Sequence, residues 1–164
     1  MKVQKRRRRE QKTDYAKRIK FLKSESPRIV FRKTNKYIIA QCITSEMAQD
    51  KIEIGANSKQ LLLHGWPKAL EGSLKSLPAS YLTGFLLGKQ ILKKKMASPI
   101  LDVGMIKSIS KSKIYAFVKG VADSGVDIKY SEKVLPSEDR ITGKHMKKDF
   151  SETFSKIKSK IEKQ

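Results

Sequence analysis

Cysteine is almost missing from this chain: Cys42 stands alone, so no disulfide can close within it. A reducing compartment is the expectation, with Cys42 as part of the core. Long apolar runs are missing too. The longest stretch, residues 82–92, is interrupted by Lys89 and falls short of the ~20 residues a membrane span needs. Met1, Lys2 and Lys5 lead straight into four arginines without an apolar segment, so no signal peptide is expected. Chemistry-bearing clusters are equally scarce. There is no Walker-type or dinucleotide glycine loop and no Cys-x-x-Cys, and the two histidines, His64 and His145, stand far apart. Asp102, Asp123 and Asp127 are the one set that could gather a magnesium ion for phosphoryl chemistry, yet such aspartates more often cap helices and close turns. The expectation is no catalysis, no metal and no cofactor.

Acidic residues are also few. The 164 residues hold 16 Asp+Glu against 37 Lys+Arg, a net +21 that repels itself unless a polyanion neutralises it. Nucleic acid is the natural partner. The charge is placed rather than spread. Residues 1–36 hold 15 basic and 3 acidic side chains, residues 37–79 hold 4 and 4, and residues 80–164 hold 18 and 9. With 38% hydrophobic and 32% charged residues, the chain reads as one folded body with basic extensions. The divisions are a basic RNA-binding arm over 1–26, an α/β body over 27–150 and a C-terminal helix over 151–164.

Four adjacent arginines, Arg6, Arg7, Arg8 and Arg9, cannot pack into a core and are expected to be extended or loosely helical until phosphates surround them. A solvated basic tail is the plain alternative. Thr13, Tyr15, Arg18, Lys20 and Phe21 then interleave hydroxyl, aromatic and basic groups along a short helix. Guanidinium forks bind phosphate, and an aromatic ring stacks on unpaired bases. Two readings stand here: Tyr15 contacts RNA, or Tyr15, Ile19 and Leu22 dock the segment onto the body.

Pro27 opens a first strand, Arg28-Ile-Val-Phe-Arg-Lys-Thr34. Asn35 and Lys36 turn the chain, and Tyr37-Ile-Ile-Ala-Gln-Cys-Ile-Thr44 returns antiparallel, so the turn presents Arg32, Lys33, Asn35, Lys36 and Tyr37 together. Asp50-Lys-Ile-Glu-Ile-Gly-Ala56 completes a meander. Leu61 to Leu63 form an apolar turn, and Trp66 plugs the core. The clearest helix begins at Ser76-Leu-Pro and continues through Leu92, closed by Lys93 to Lys95. Its Gly84 and Gly88, four apart, let it lie close to the sheet. Ser98-Pro-Ile-Leu-Asp-Val-Gly104 is a short strand, parallel to a meander strand because a helix precedes it. A Ser/Lys/Ile loop over 107–113 leads into a helix with Ile114, Phe117, Val118 and Val121, stopped at Gly125. Residues 127–132 then leave the body. A short helix or loop follows over 135–141, and an amphipathic helix carries Phe154, Ile157 and Ile161. The fold class is α/β: a single domain whose small mixed sheet, an antiparallel three-strand meander plus a parallel strand, is covered by helices.

Several of these strings resemble one family. Arg6-Arg-Arg-Arg-Glu10, Lys12-Thr-Asp-Tyr15 and Pro27-Arg-Ile-Val-Phe-Arg-Lys-Thr-Asn-Lys36 are similar to the amino-terminal signature of the 5S-rRNA-binding ribosomal protein family numbered eighteen in the archaeal large subunit. Pro78-Ala-Ser-Tyr-Leu-Thr-Gly84, Leu101-Asp-Val-Gly104 and Pro136-Ser-Glu-Asp-Arg-Ile-Thr-Gly-Lys-His145 agree in order, the last pointing to the archaeal/eukaryotic branch. The resemblance implies a scaffold of the cytoplasmic large ribosomal subunit. It would bind 5S rRNA, touch 23S rRNA and a neighbouring 5S-binding ribosomal protein in the central protuberance, and need neither a membrane nor a small-molecule substrate. Carried onto this chain, the RNA-facing role falls on Arg6 to Arg9, Lys12, Thr13, Tyr15, Arg18, Arg28, Arg32, Lys33, Asn35 and Lys36, and extends to Lys107, Lys111 and Lys113. One departure from the family is the connection after His145, where residues 146–150 replace a longer segment. Without the resemblance, the residues also fit a general basic RNA-binding or chaperone protein of another ribonucleoprotein particle, or a basic adaptor for acidic proteins.

Overall fold

The computed structural model describes residues 3–146 and 149–163. Residues 1, 2, 147, 148 and 164, which fall at the ends of the expected arm and terminal helix and inside the connection before that helix, lie outside the described residues.

Alternation in the first strand, β1 (Arg28–Lys33), decides the layers. Ile29 and Phe31 point into the core, while Arg28 and Arg32 point to the opposite face with Val30. β2 (Ile38–Glu46) pairs with β1 antiparallel, placing Lys33 opposite Ile38 and Arg28 opposite Ile43. Thr34 closes this hairpin: its hydroxyl accepts from the Tyr37 amide and its own amide donates to the Tyr37 carbonyl, each at 2.9 Å. β3 (Gln49–Asn57) adds the third antiparallel strand, with a bulge between Cys42 and Ile43. The β2–β3 turn places Met47 and Ala48 at φ of 47° and 65°, a conformation that L side chains rarely adopt. β4 (Ile100–Asp102) runs parallel to β1 on its free side, giving the order β3-β2-β1-β4. The mixed sheet read from sequence is therefore present.

The long helix is α3 (Leu77–Lys93), numbered after the arm helices α1 (Arg6–Arg9) and α2 (Tyr15–Lys23). Ser76 caps it, its side chain accepting from the Ala79 amide. Every residue from 78 to 88 is buried, so α3 is the centre of the domain and not a surface layer. α4 (Lys113–Asp123) lies against it, and the glycines explain how. A methyl on Gly84 would collide with the Phe117 carbonyl oxygen, one on Gly88 with the Ser124 hydroxyl, and one on Gly120 with the Tyr81 carbonyl oxygen. The expectation that Gly84 and Gly88 bring the helix near the sheet is thus corrected. They bring it backbone to backbone with α4, because the face they occupy is the one that meets Phe117 and Ser124.

α5 (Glu138–Thr142) and α6 (Ser151–Glu162) close the far side of α3. Phe154 of α6 tilts against Tyr81 with 5.3 Å between ring centres, and Trp66 packs on Phe150 at 4.7 Å. Trp66 is core, its indole N–H donating to the Leu70 carbonyl. Cys42 is buried as expected, and burial pushes its thiol up to about 11. Residues 127–132 do not all leave the body. Val126 and Ile128 alternate inward and join the core, so the chain departs only after Ile128.

Candidate nucleic-acid interface

The structure sorts the basic residues into two places. The first is a cleft of about 180 Å³ between the arm and the strand face opposite α3. It is lined by Arg7, Lys12, Thr13, Arg18, Arg28 and Arg32 from the sequence-expected set, with Lys17 and Phe21 from α2. Asp14 and Asp102 enter it as well. α2 starts where Asp14 accepts from the Ala16 and Lys17 amides; the Lys17 bond is the first of the effects, with the nearby Arg8, that hold this carboxyl below its ordinary range.

Charge pairing helps to anchor α2, whose Tyr15, Phe21 and Leu22 are half-buried. The helix has no buried residue, and Ile19 is 55% exposed, so the docking expected from Ile19 does not occur. Arg18 instead reaches over the sheet to Asp50 at 3.0 Å and the Ala48 carbonyl at 3.3 Å. Phe21 lies under the Arg28 guanidinium at 5.9 Å. Arg8 is drawn to Asp14 at 3.1 Å and to the Met105 sulfur at 3.2 Å. Tyr15 is half-buried, and the Lys5 ammonium sits 4.7 Å from its ring centre.

Arg28 and Arg32 hold the floor of the cleft. The Arg28 side chain is 4% exposed and bonds Asp50 at 2.7 Å and the Ser45 hydroxyl at 3.0 Å, with Asp102 at 3.7 Å. Arg32 donates to the Asp102 carbonyl at 2.9 Å and approaches its carboxylate at 3.4 Å. Asp102 also accepts from the Gly104 amide at 2.7 Å, and Gly104, at φ +63°, passes so close that a methyl there would meet the Arg32 guanidinium at 3.1 Å. Asp50 feels burial, which works to raise its pKa, but the Ser45 hydroxyl and the Arg18 and Arg28 guanidinia prevail and lower it. Arg28 therefore faces protein in this structure. The hairpin also does not present Arg32 and Lys33 together, because adjacent strand residues project to opposite faces.

The second place is a cavity of about 350 Å³ on the α4 side of that hairpin. Here Lys33, Lys107, Lys111 and Lys113 converge, and Arg140 of α5 joins them. Phe31, Leu77, Ile106, Ile109 and Ile114 supply apolar wall, and no carboxylate is among the residues lining it. Burial first, then Lys33 and Lys75, lower the pKa of Lys113. Sequence reasoning had placed no role on Arg140, Lys75 or Lys17. Arg140 lay inside the Pro136 to His145 string, but its partners are some 30 and 110 residues away in sequence, so only the fold unites them. Arg6, Arg9, Asn35 and Lys36 are exposed outside both places, Arg6 paired with Glu10 at 3.5 Å.

The three aspartates weighed for magnesium are dispersed and engaged. Asp102 serves Arg28, Arg32 and Gly104, Asp123 accepts the Tyr81 hydroxyl at 2.6 Å, and Asp127 accepts from Ser98 at 3.4 Å. Burial, then Asp123, raises the Tyr81 pKa.

Two basic places on an α/β body, one roofed by an arginine-rich arm, meet their match among known proteins. The family model described as ribosomal large subunit proteins 60S L5 and 50S L18 matches residues 1–100. The chain belongs to that family. It is 47% identical over 145 residues to large ribosomal subunit protein uL18 of Korarchaeum cryptofilum, covering 88% of this chain and 72% of that one. It is 42% identical over 141 residues to the uL18 proteins of Methanoregula boonei, covering 86% and 79%, and of Methanothermobacter thermautotrophicus, covering 86% and 71%. Members of this family are structural proteins of the large ribosomal subunit and not enzymes. The match spans the arm, the meander and α3, which supply most of the first basic place and Phe31, Lys33 and Leu77 of the second. No helix among the described residues is long and apolar enough to cross a membrane.

Proposed function

We propose that this chain binds 5S rRNA and helps attach it to 23S rRNA in the central protuberance, alongside a neighbouring 5S-binding ribosomal protein. The observation that carries the reading is the cavity rimmed by Lys33, Lys107, Lys111, Lys113 and Arg140 without an opposing carboxylate. Like charges gathered at a partly desolvated rim repel one another, and a phosphate backbone relieves that repulsion while releasing counterions. The arm supplies a second contact through Arg6, Arg7, Arg9 and Lys12, whose side chains reach solvent. Phosphate contacts fix position, and the irregular shape of a folded RNA supplies selectivity.

A salt titration of binding to folded 5S rRNA, with excess tRNA as competitor, tests this. Tight binding that resists tRNA and weakens on deletion of residues 1–20 is expected. Equal affinity for the two RNAs would reduce the chain to a general polycation.

A further inference from the structure

The cavity beside α4 is not only a charged rim. Its interior is apolar, walled by Leu77, Ile106, Ile109 and Ile114 with Phe31 behind, whereas a plain phosphate clamp needs no such lining. Its volume, about 350 Å³, lies within the ~300–1,000 Å³ of clefts that bury small ligands. Ile109 stands at the mouth with 65% of its surface exposed, held there by a strained loop. Lys111 in that loop adopts φ +58°, and its amide is tied to the Val134 carbonyl at 2.8 Å. One polar group behind this wall is unsatisfied. Ser112 begins α4 without a side-chain cap bond, and its hydroxyl is buried with no hydrogen-bond partner among the described residues.

We propose that this cavity receives one unpaired RNA base, its flat faces against the isoleucines and its flanking phosphates held by Lys33, Lys111 and Lys113. An apolar wall under a cationic rim suits a ligand with a flat apolar body and a negative backbone. Double-stranded RNA offers the charge without a free base, while an extruded nucleotide offers both. The proposal rests on the RNA-binding reading and adds that the chain captures a splayed nucleotide as well as phosphates.

The test uses the full chain and folded 5S rRNA carrying 2-aminopurine at one unpaired position at a time. At least one position should brighten several-fold on binding, as the base leaves its stack. Ile109→Asn keeps every charge and alters an exposed side chain, so the protein should fold normally. It should abolish that brightening and weaken binding by about 5-fold while leaving the salt slope unchanged. Preference for 5S rRNA over tRNA with no brightening position, or brightening that survives Ile109→Asn, would overturn the base site alone. Loss of the preference itself would overturn the reading beneath it. Competition by polyglutamate that perturbs the Ile109 methyl resonance, without any responsive base, would make this a peptide site and end the proposal.

Discussion

Beneath the arm, each deep cation meets a carboxylate: Arg8 meets Asp14, Arg18 and Arg28 meet Asp50, and Arg28 and Arg32 meet Asp102. On the other side of the β1–β2 hairpin, Lys33, Lys107, Lys111, Lys113 and Arg140 line a cavity with no carboxylate in its wall. Both regions are basic in sequence. They differ in what the charge is for: the first spends much of it on holding the arm to the sheet, and the second leaves it for a partner. A count of lysines and arginines cannot separate these uses, since the separation depends on which acids the fold delivers.

Breaking the paired region should be the more damaging change. Asp102→Ala removes a partner from Arg28, whose side chain is 4% exposed, along with the carboxylate near Arg32 and the acceptor of the Gly104 amide. Leaving a buried guanidinium short of a partner should cost about 3 kcal/mol, read as a fall in the denaturant midpoint. The salt slope of RNA binding should stay as it was. A variant of undiminished stability would show that the cleft is held by something other than its ion pairs.

The opposite pattern is expected in the unpaired region. Lys111→Gln removes a charge from the cavity rim, so stability should move by no more than about 0.5 kcal/mol. Affinity for 5S rRNA should fall, and the slope of log affinity against log salt should flatten by roughly 0.7–0.9. A stability loss without a change in slope would erase the distinction between the two regions.

Acid separates them again. The pKa of Asp50 is lower in the folded chain than its ordinary value, so its contribution is fully present above about pH 3.9 and is lost as pH falls through the lower folded value. Side-chain resonances of Arg18 should therefore shift below pH 4 as Arg18 loses its carboxylate. Resonances of the loop over 107–112 should hold still in the same titration. Movement of both together would mean that α2 is not anchored independently through Asp50.

Much of the fold could be read from local pattern. The meander follows from alternation in residues 28–56, the parallel β4 from the helix before it, and α3 from Ser76, Pro78 and its apolar length. What escaped depended on tertiary pairing. Gly84 and Gly88 advertised close approach, but which neighbour approached was set by Gly120, more than 30 residues on. Ile128 looked like part of a departing loop because its inward turn follows from packing. Of the residues lining the two basic places, ten could be named from the sequence as candidates, whereas the division of Arg32 from Lys33 and the arrival of Arg140 required the three-dimensional chain.

The smallest effect concerns the β2–β3 turn, where the paired region meets the hairpin. Ala48 at φ +65° holds a left-handed conformation costing roughly 1–2 kcal/mol, and its carbonyl accepts from Arg18. Ala48→Gly removes that steric cost but gives the unfolded chain more freedom, which offsets about 0.4–1 kcal/mol of the gain. The net should be a stabilisation of about 0.5 kcal/mol, measured as a small rise in denaturant midpoint. Because the carbonyl is retained, Arg18 keeps its acceptor and the arm stays docked. If the glycine instead loosened α2, the stiffness of the turn would be part of what positions Asp50 for Arg18 and Arg28, and the paired region would rest on backbone conformation as much as on charge.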